Sequence, residues 1–432
     1  MADQGGSQHG IARTSRVRTE EQRRQDVEKI AKYRDLDERV RKELSQKRYT
    51  PETFQLTSKL LQLNPEYYTV WNARRRLLIY GLFSKPSAGS SPSTALPSSS
   101  LTATTTTSSD ASSSSLSTAT PPAPDPPRAG KSGTTADEGD GSPEQAEESK
   151  KAEQDNDLEL IKQELGFTIP LLLASPKCYW IWSYRLWILQ QAIQRLPIPI
   201  ARRIWEEELG LASKMLIKDR RNFHAWGYRR HVVEQLESPE LGGTSLVESE
   251  FKYTTEMIKV DLSNFSAWHN RSKLIPRLLD ERKADDTARE TFLNEEFGQI
   301  FEAINVGPED QSLWYYHHFL MLNLVSPVGH PTIAPALTRE TRITYVIREI
   351  EQIKELLEDY DDVQLIYEAL IDYTLFLCQF LERKPDGSER AELVSWLDKV
   401  KKLDPMRSGR WADLERDCGL VEERPRMMTM AS

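Results

Sequence analysis

The sequence predicts an all-α fold, a right-handed superhelical array of antiparallel helical hairpins forming an α–α solenoid. Three observations carry the prediction. Tryptophan recurs at Trp71, Trp182, Trp226, Trp268, Trp314 and Trp411, and the steps from Trp182 through Trp314 are 44, 42 and 46 residues. Each of these steps holds apolar residues at helical spacing, a turn, and a second helix that carries the Trp. The surroundings of the Trp also repeat. Seven residues before it stand Asn64, Ser175, Asp219, Asp261, Gly307 and Asp404, and one residue further on come Pro65, Pro176, Pro308 and Pro405. Three before it are Tyr68, Tyr179, Phe223 and Phe265, and three after it are Arg74, Arg185, Arg229 and Arg271. His317 and Leu414 take the arginine place in the last two copies. Tetratricopeptide repeats, with steps of about 34 residues, do not fit this spacing.

Taken in order, residues 1–12 are small and polar and should form a flexible N-terminus. Residues 13–83 hold N-terminal helices and the first repeat. Arg13 to Arg48 carries thirteen Lys/Arg against eight Asp/Glu with few aliphatics, the composition of a solvated helix. Residues 84–157 read as a disordered insertion, Ser/Thr/Pro-rich and then acidic, with too little apolar surface to offset its chain entropy. A loop tolerates such an insertion because closure entropy grows only logarithmically with length. Residues 158–325 hold repeats two to five. Residues 326–342 are a turn-rich connection, 343–421 hold three helices and a degenerate sixth repeat, and 422–432 form a flexible tail.

The residues seven before each Trp are good helix caps, and Pro suits a first helical position, so the Trp helices are expected to start there. The Trp and the aromatic three before it share a face and should fill the groove between helices. The arginines should bond carbonyls or acidic groups of the adjacent hairpin. On this reading Lys177 sits in a first helical turn, where the dipole disfavours a cation, so it either faces solvent or serves an anion.

The net charge of −9 argues against a dedicated nucleic-acid binder. No apolar run approaches the roughly 18 residues that span a membrane, and the start has no signal-peptide core. Cys178, Cys378 and Cys418 form no CxxC pair, which suits a reducing compartment. The expected location is cytoplasmic. His317 and His318 are adjacent and point apart on a helix, so they cannot chelate one ion, and no metal site is expected in this chain.

The repeated P-x-x-Tyr/Phe-x-x-Trp-x-x-Arg pattern resembles the α subunits of protein prenyltransferases, over about 50–83 and 158–417. The segments DRRNFHAWGYRRHV, DLSNFSAWHNRSKLIPRL, EDQSLWYYH and LDPMRSGRW resemble most the Rab geranylgeranyltransferase branch of that family. His9–Gly10 before a basic helix is similar to the start of that branch, although eight residues precede His9 here. The resemblance implies a crescent around a β subunit, an α/α barrel that carries zinc and most of the isoprenoid pocket. It implies no cofactor bound by this chain, and it leaves room for magnesium. The implied reaction moves geranylgeranyl from geranylgeranyl diphosphate to C-terminal cysteines of Rab GTPases presented by a Rab escort protein. The alternatives are the α subunit shared by farnesyltransferase and type I geranylgeranyltransferase, and a non-catalytic helical scaffold.

Prenyl transfer leaves negative charge on the departing diphosphate, and preformed cations and donors lower that barrier. Lys177 matches the family's Pro-Lys-x-Tyr-x-x-Trp lysine, whose ammonium reaches the diphosphate. Tyr179 matches the aromatic beside it, with hairpin packing as its other reading. His224 in Asn-Phe-His-Ala-Trp matches the histidine that contacts the same anion. Asn222 is a weaker neighbour, with a turn role as its alternative.

Overall fold

The computed structural model describes residues 19–85, 143–325, 332–417 and 419–420. The expected flexible ends, His9, and most of the insertion and of the turn-rich connection's first half lie outside these. Fifteen α-helices and no strand occur among the described residues. A charged helix, α1 (Glu20–Ser45), precedes seven hairpins. These are α2 (Pro51–Leu63) with α3 (Tyr68–Leu77), α4 (Pro143–Ala174) with α5 (Tyr179–Arg195), and α6 (Ile198–Lys218) with α7 (Phe223–Glu237). Then come α8 (Val247–Val260) with α9 (Phe265–Glu281), α10 (Asp286–Val306) with α11 (Gln311–Val325), α12 (Arg339–Leu356) with α13 (Gln364–Phe380), and α14 (Gly387–Leu403) with α15 (Ser408–Asp417). The first helix of each pair is called its A helix and the second its B helix.

The Trp side chains tie each turn to its B helix. All six are buried. The indole N–H donates to a backbone carbonyl six residues back, Pro65 for Trp71, Pro176 for Trp182, Arg220 for Trp226, Leu262 for Trp268 and Pro308 for Trp314, at 2.7–2.9 Å. A buried donor is thereby satisfied and the turn is closed over its own helix.

The arginines three residues further on build buried rungs between hairpins. Arg74 pairs bidentately with Glu164 of the next A helix at 2.5 and 2.6 Å, and Tyr184 of the next B helix donates to the same carboxylate. Arg185 with Glu208 and Tyr228, and Arg271 with Glu296 and Tyr316, repeat the arrangement. Arg229 with Glu250 is a rung without its tyrosine, because Asn270 stands in that place. In the fifth hairpin His317 replaces the arginine, bonding Glu349 at 3.1 Å and the Tyr373 hydroxyl at 2.9 Å. Ion pairs this deep are stable only when each lone pair and proton finds a partner, and the tyrosines complete that set.

Four expectations need correction. Ser175 and its equivalents end the A helix and do not cap the B helix. The chain makes a turn there, with N–H to C=O bonds from Tyr67 to Asn64, Cys178 to Ser175, Asn222 to Asp219 and Asn264 to Asp261. The prolines hold the second position of turns, which their fixed φ also suits. The B helices start three residues later, at the aromatic position, where Asn222 and Asn264 are the caps with side-chain bonds. The aromatics accordingly lie outside the groove. Tyr68, Phe223 and Phe265 are exposed and Tyr179 is half-buried, because a first helical residue directs its side chain back past the helix end.

Residues 143–157, read as part of the disordered insertion, are the first half of α4. Their Glu, Lys, Gln and Ala favour helix. Asp157 anchors them by accepting from the Ser84 amide at 2.9 Å and pairing with Arg195 at 3.3 Å. Finally, Trp411 belongs to the seventh hairpin. The sixth has Tyr367 where the others have Trp, and its hydroxyl donates to the Asp361 carbonyl six residues back at 2.7 Å.

Candidate functional site at the turns

Successive turns are stitched in register by one side chain each. The carbonyl that receives the indole of its own Trp also accepts from the next turn. Cys178 Sγ reaches the Pro65 carbonyl at 3.4 Å, Asn222 Nδ2 the Pro176 carbonyl at 3.1 Å, and Asn264 Nδ2 the Arg220 carbonyl at 3.1 Å. Asn222 also accepts from the amides of His224 and Ala225 with Oδ1. It is buried, and both ends of its amide are engaged within the chain.

This stitching brings Lys177, Tyr179 and His224 to one edge. Lys177 is the third residue of its turn and precedes the helix, so the first-turn dipole reading does not hold. Its side chain is 76% exposed, with one loose contact of 3.7 Å to Asp219 of the next turn. His224 is half-buried, 6.3 Å between ring centroids from Tyr179 and 4.0 Å from Phe223. Burial holds its imidazole below the ordinary range, Glu66 opposes that effect, and the Lys177 ammonium adds to it. Lys177 and His224 thus feel one another's charge. A cation beside an imidazole that gains charge when a counter-ion arrives suits an anion at this surface edge.

Glu66 was missed by sequence reasoning, although a signal existed. It occupies the repeat position of Lys177, five residues before the Trp, in the preceding turn. Cys178 is buried and burial pushes its thiol up to about 11, so it serves as a turn tie and not as a nucleophile. Among the described residues no three His, Cys, Asp or Glu side chains could hold a metal ion together, and no helix is long and apolar enough to cross a membrane.

A seven-hairpin array with turns closed by Trp in six hairpins and by Tyr367 in the sixth defines a class, the helical subunits built from protein prenyltransferase α-subunit repeats. The model of the protein prenyltransferase alpha subunit repeat matches residues 51–80, 161–192, 205–236 and 247–278. The geranylgeranyl transferase type-2 subunit alpha of Schizosaccharomyces pombe is 32% identical over 416 residues, covering 94% of this chain and 97% of the relative. Its Candida albicans counterpart is 27% identical, covering 94% and 97%. The human protein of that name matches at 37% over 164 residues, which is 38% of this chain and 26% of the relative. Candida albicans protein geranylgeranyltransferase-I complexed with GGPP has the same fold, with a TM-score of 0.52 at 17% identity over 90% of this chain and 91% of that one. The chain belongs to the protein prenyltransferase α-subunit family, among the type-2 geranylgeranyl transferase α subunits.

Proposed function

We propose that this chain is one half of a heterodimeric protein geranylgeranyltransferase, active only with its β subunit. The pair would move geranylgeranyl from geranylgeranyl diphosphate to C-terminal cysteines of Rab GTPases held by an escort protein in the cytoplasm. The observation that carries the reading is the meeting of Lys177, Tyr179 and His224 at one edge of adjoining turns. The allylic C–O bond breaks as the cysteine sulfur attacks, and the departing diphosphate gains negative charge. The exposed Lys177 ammonium can take up that charge with little rearrangement, since only a 3.7 Å contact to Asp219 holds it. His224, desolvated beside it, gains a proton more readily once a diphosphate is present. On this reading the β subunit supplies the zinc that makes the substrate cysteine a thiolate, and this chain supplies none.

The test is reconstitution. The full chain is co-expressed with a type-2 β subunit and given radiolabelled geranylgeranyl diphosphate, with a Rab–escort complex and a CaaX peptide in competition. Label on the Rab is the expected result. Label on the peptide alone would move the chain to the farnesyl and type I branch. A stable heterodimer without transfer to either would leave only the scaffold.

A further inference from the structure

Every arginine in the buried rungs has a glutamate of its own. The arginine that follows two of them has none. Arg75 and Arg230 both lie four residues after a Trp, on α3 and α7, and neither meets a carboxylate among the described residues. Arg75 is half-buried and bonds only neutral acceptors, Asn72 Oδ1 at 3.2 Å and the carbonyl and hydroxyl of Ser183 at 3.3 Å, while its Nε is buried with no partner. Arg230 is exposed, and its one side-chain bond among the described residues is to Asn270 Oδ1 at 3.1 Å. Burial pulls the Arg75 guanidinium below the ordinary arginine range. A partly desolvated cation without a counter-ion, as Arg75 is, is costly, and this chain avoids that cost at each rung; Arg230 is open to solvent and free to take a partner's carboxylate.

The surroundings indicate what supplies the counter-ion. The two arginines project from helices with α5 between them, about two helix spacings apart at 8–10 Å each, too far for one diphosphate to serve both. The edge of the B helices from α3 to α9 carries exposed aromatics, Tyr68, Phe223 and Phe265. Arginine with Tyr and Phe is the composition of a protein-binding surface.

We propose that the B-helix face from α3 to α9 receives the β subunit, and that Arg75 and Arg230 each anchor it by meeting a carboxylate of that subunit. The inference rests on the heterodimer reading above and adds the charge recognition within it. Its occupant is a protein surface bearing two carboxylates spaced to match alternate hairpins.

The test uses the full chain with a type-2 β subunit and the variants Arg75→Gln, Arg230→Gln and both together. Heterodimer dissociation is measured by sedimentation at low and high salt. Each single variant should weaken assembly about tenfold and the pair about a hundredfold, with a shallower salt dependence. Melting of the isolated α chain should be unchanged, and Arg75→Lys with Arg230→Lys should recover part of the loss. Wild-type assembly by the double variant overturns the anchors. Intact assembly with a raised KM for geranylgeranyl diphosphate also overturns them and gives the arginines to the diphosphate. If the wild-type chain never pairs with the β subunit, the heterodimer reading and the anchors fall together.

Discussion

Lys177 and Arg221 occupy the same position in neighbouring turns, five residues before the Trp, and each faces an aspartate seven residues before the next Trp. Arg221 grips Asp261 with two bonds of 3.0 and 3.2 Å. Lys177 touches Asp219 once, at 3.7 Å. The geometry of the repeat is common to both, so the difference lies in the side chain. A guanidinium forks onto a carboxylate and stays there, whereas an ammonium on a flexible stem remains available to another anion. The joint that Arg221 clamps lies between the third and fourth hairpins, where Asn270 leaves the buried rung without its tyrosine. The second turn joins hairpins whose rung is complete, with Glu208 held by both Arg185 and Tyr228.

The largest effect expected is on what the two turns share. Trp182→Ala and Trp226→Ala should each cost roughly 3–5 kcal/mol of stability, and by similar amounts, since each removes a buried indole and its bond to a turn carbonyl. A large difference in urea unfolding between the two would show that the turns are not equivalent scaffolds. Next comes Lys177→Ala, which should lower turnover of the reconstituted heterodimer about 10²–10³-fold with assembly retained. Wild-type turnover would remove Lys177 from the site and erase the contrast.

Asn222→Ala cuts the tie between the two turns and the cap of α7, and should cost about 1–2 kcal/mol in thermal or urea unfolding. Arg221→Ala should cost only ~0.2–1 kcal/mol, because the guanidinium itself is exposed to solvent, and it should leave turnover unchanged. A turnover loss like that of Lys177→Ala would mean both turns serve the same chemistry.

The smallest effect is in pH. Burial holds His224, His231, His269 and His318 below the ordinary imidazole range. The unfolded chain then binds more protons than the folded one, so stability falls as pH drops from the ordinary histidine value through the lowered ones. Asp372, lifted to about 6 by burial, acts in the opposite sense. Urea midpoints at about pH 7.5 and 5.5 should show a smaller acid loss in His224→Gln than in the wild type, and an equal loss would place no proton linkage at that residue.

The array was legible in the sequence because one large side chain fills the same place in most hairpins. It was lost where chemistry substitutes for identity, as when the Tyr367 hydroxyl makes the bond an indole makes elsewhere. The start of each B helix was misplaced by three residues because a cap followed by proline and a turn followed by proline have the same local signature. Only the side-chain bonds of Asn222 and Asn264 separate the two. The candidate site was legible only by resemblance. Periodicity gives no means of bringing Lys177 to His224, which belong to different hairpins, and the link is the Pro176 carbonyl, a backbone atom that no side-chain pattern reveals.

That carbonyl has a further consequence. Pro65, Pro176 and Arg220 each hold an indole from their own hairpin and a side chain from the following one on a single oxygen. Excising one hairpin, or splicing in another, would strip the neighbour of an acceptor and leave its cap donor without a partner. Neighbouring units of the array therefore melt as coupled segments, and its length is set by bonding across the turns as well as by packing.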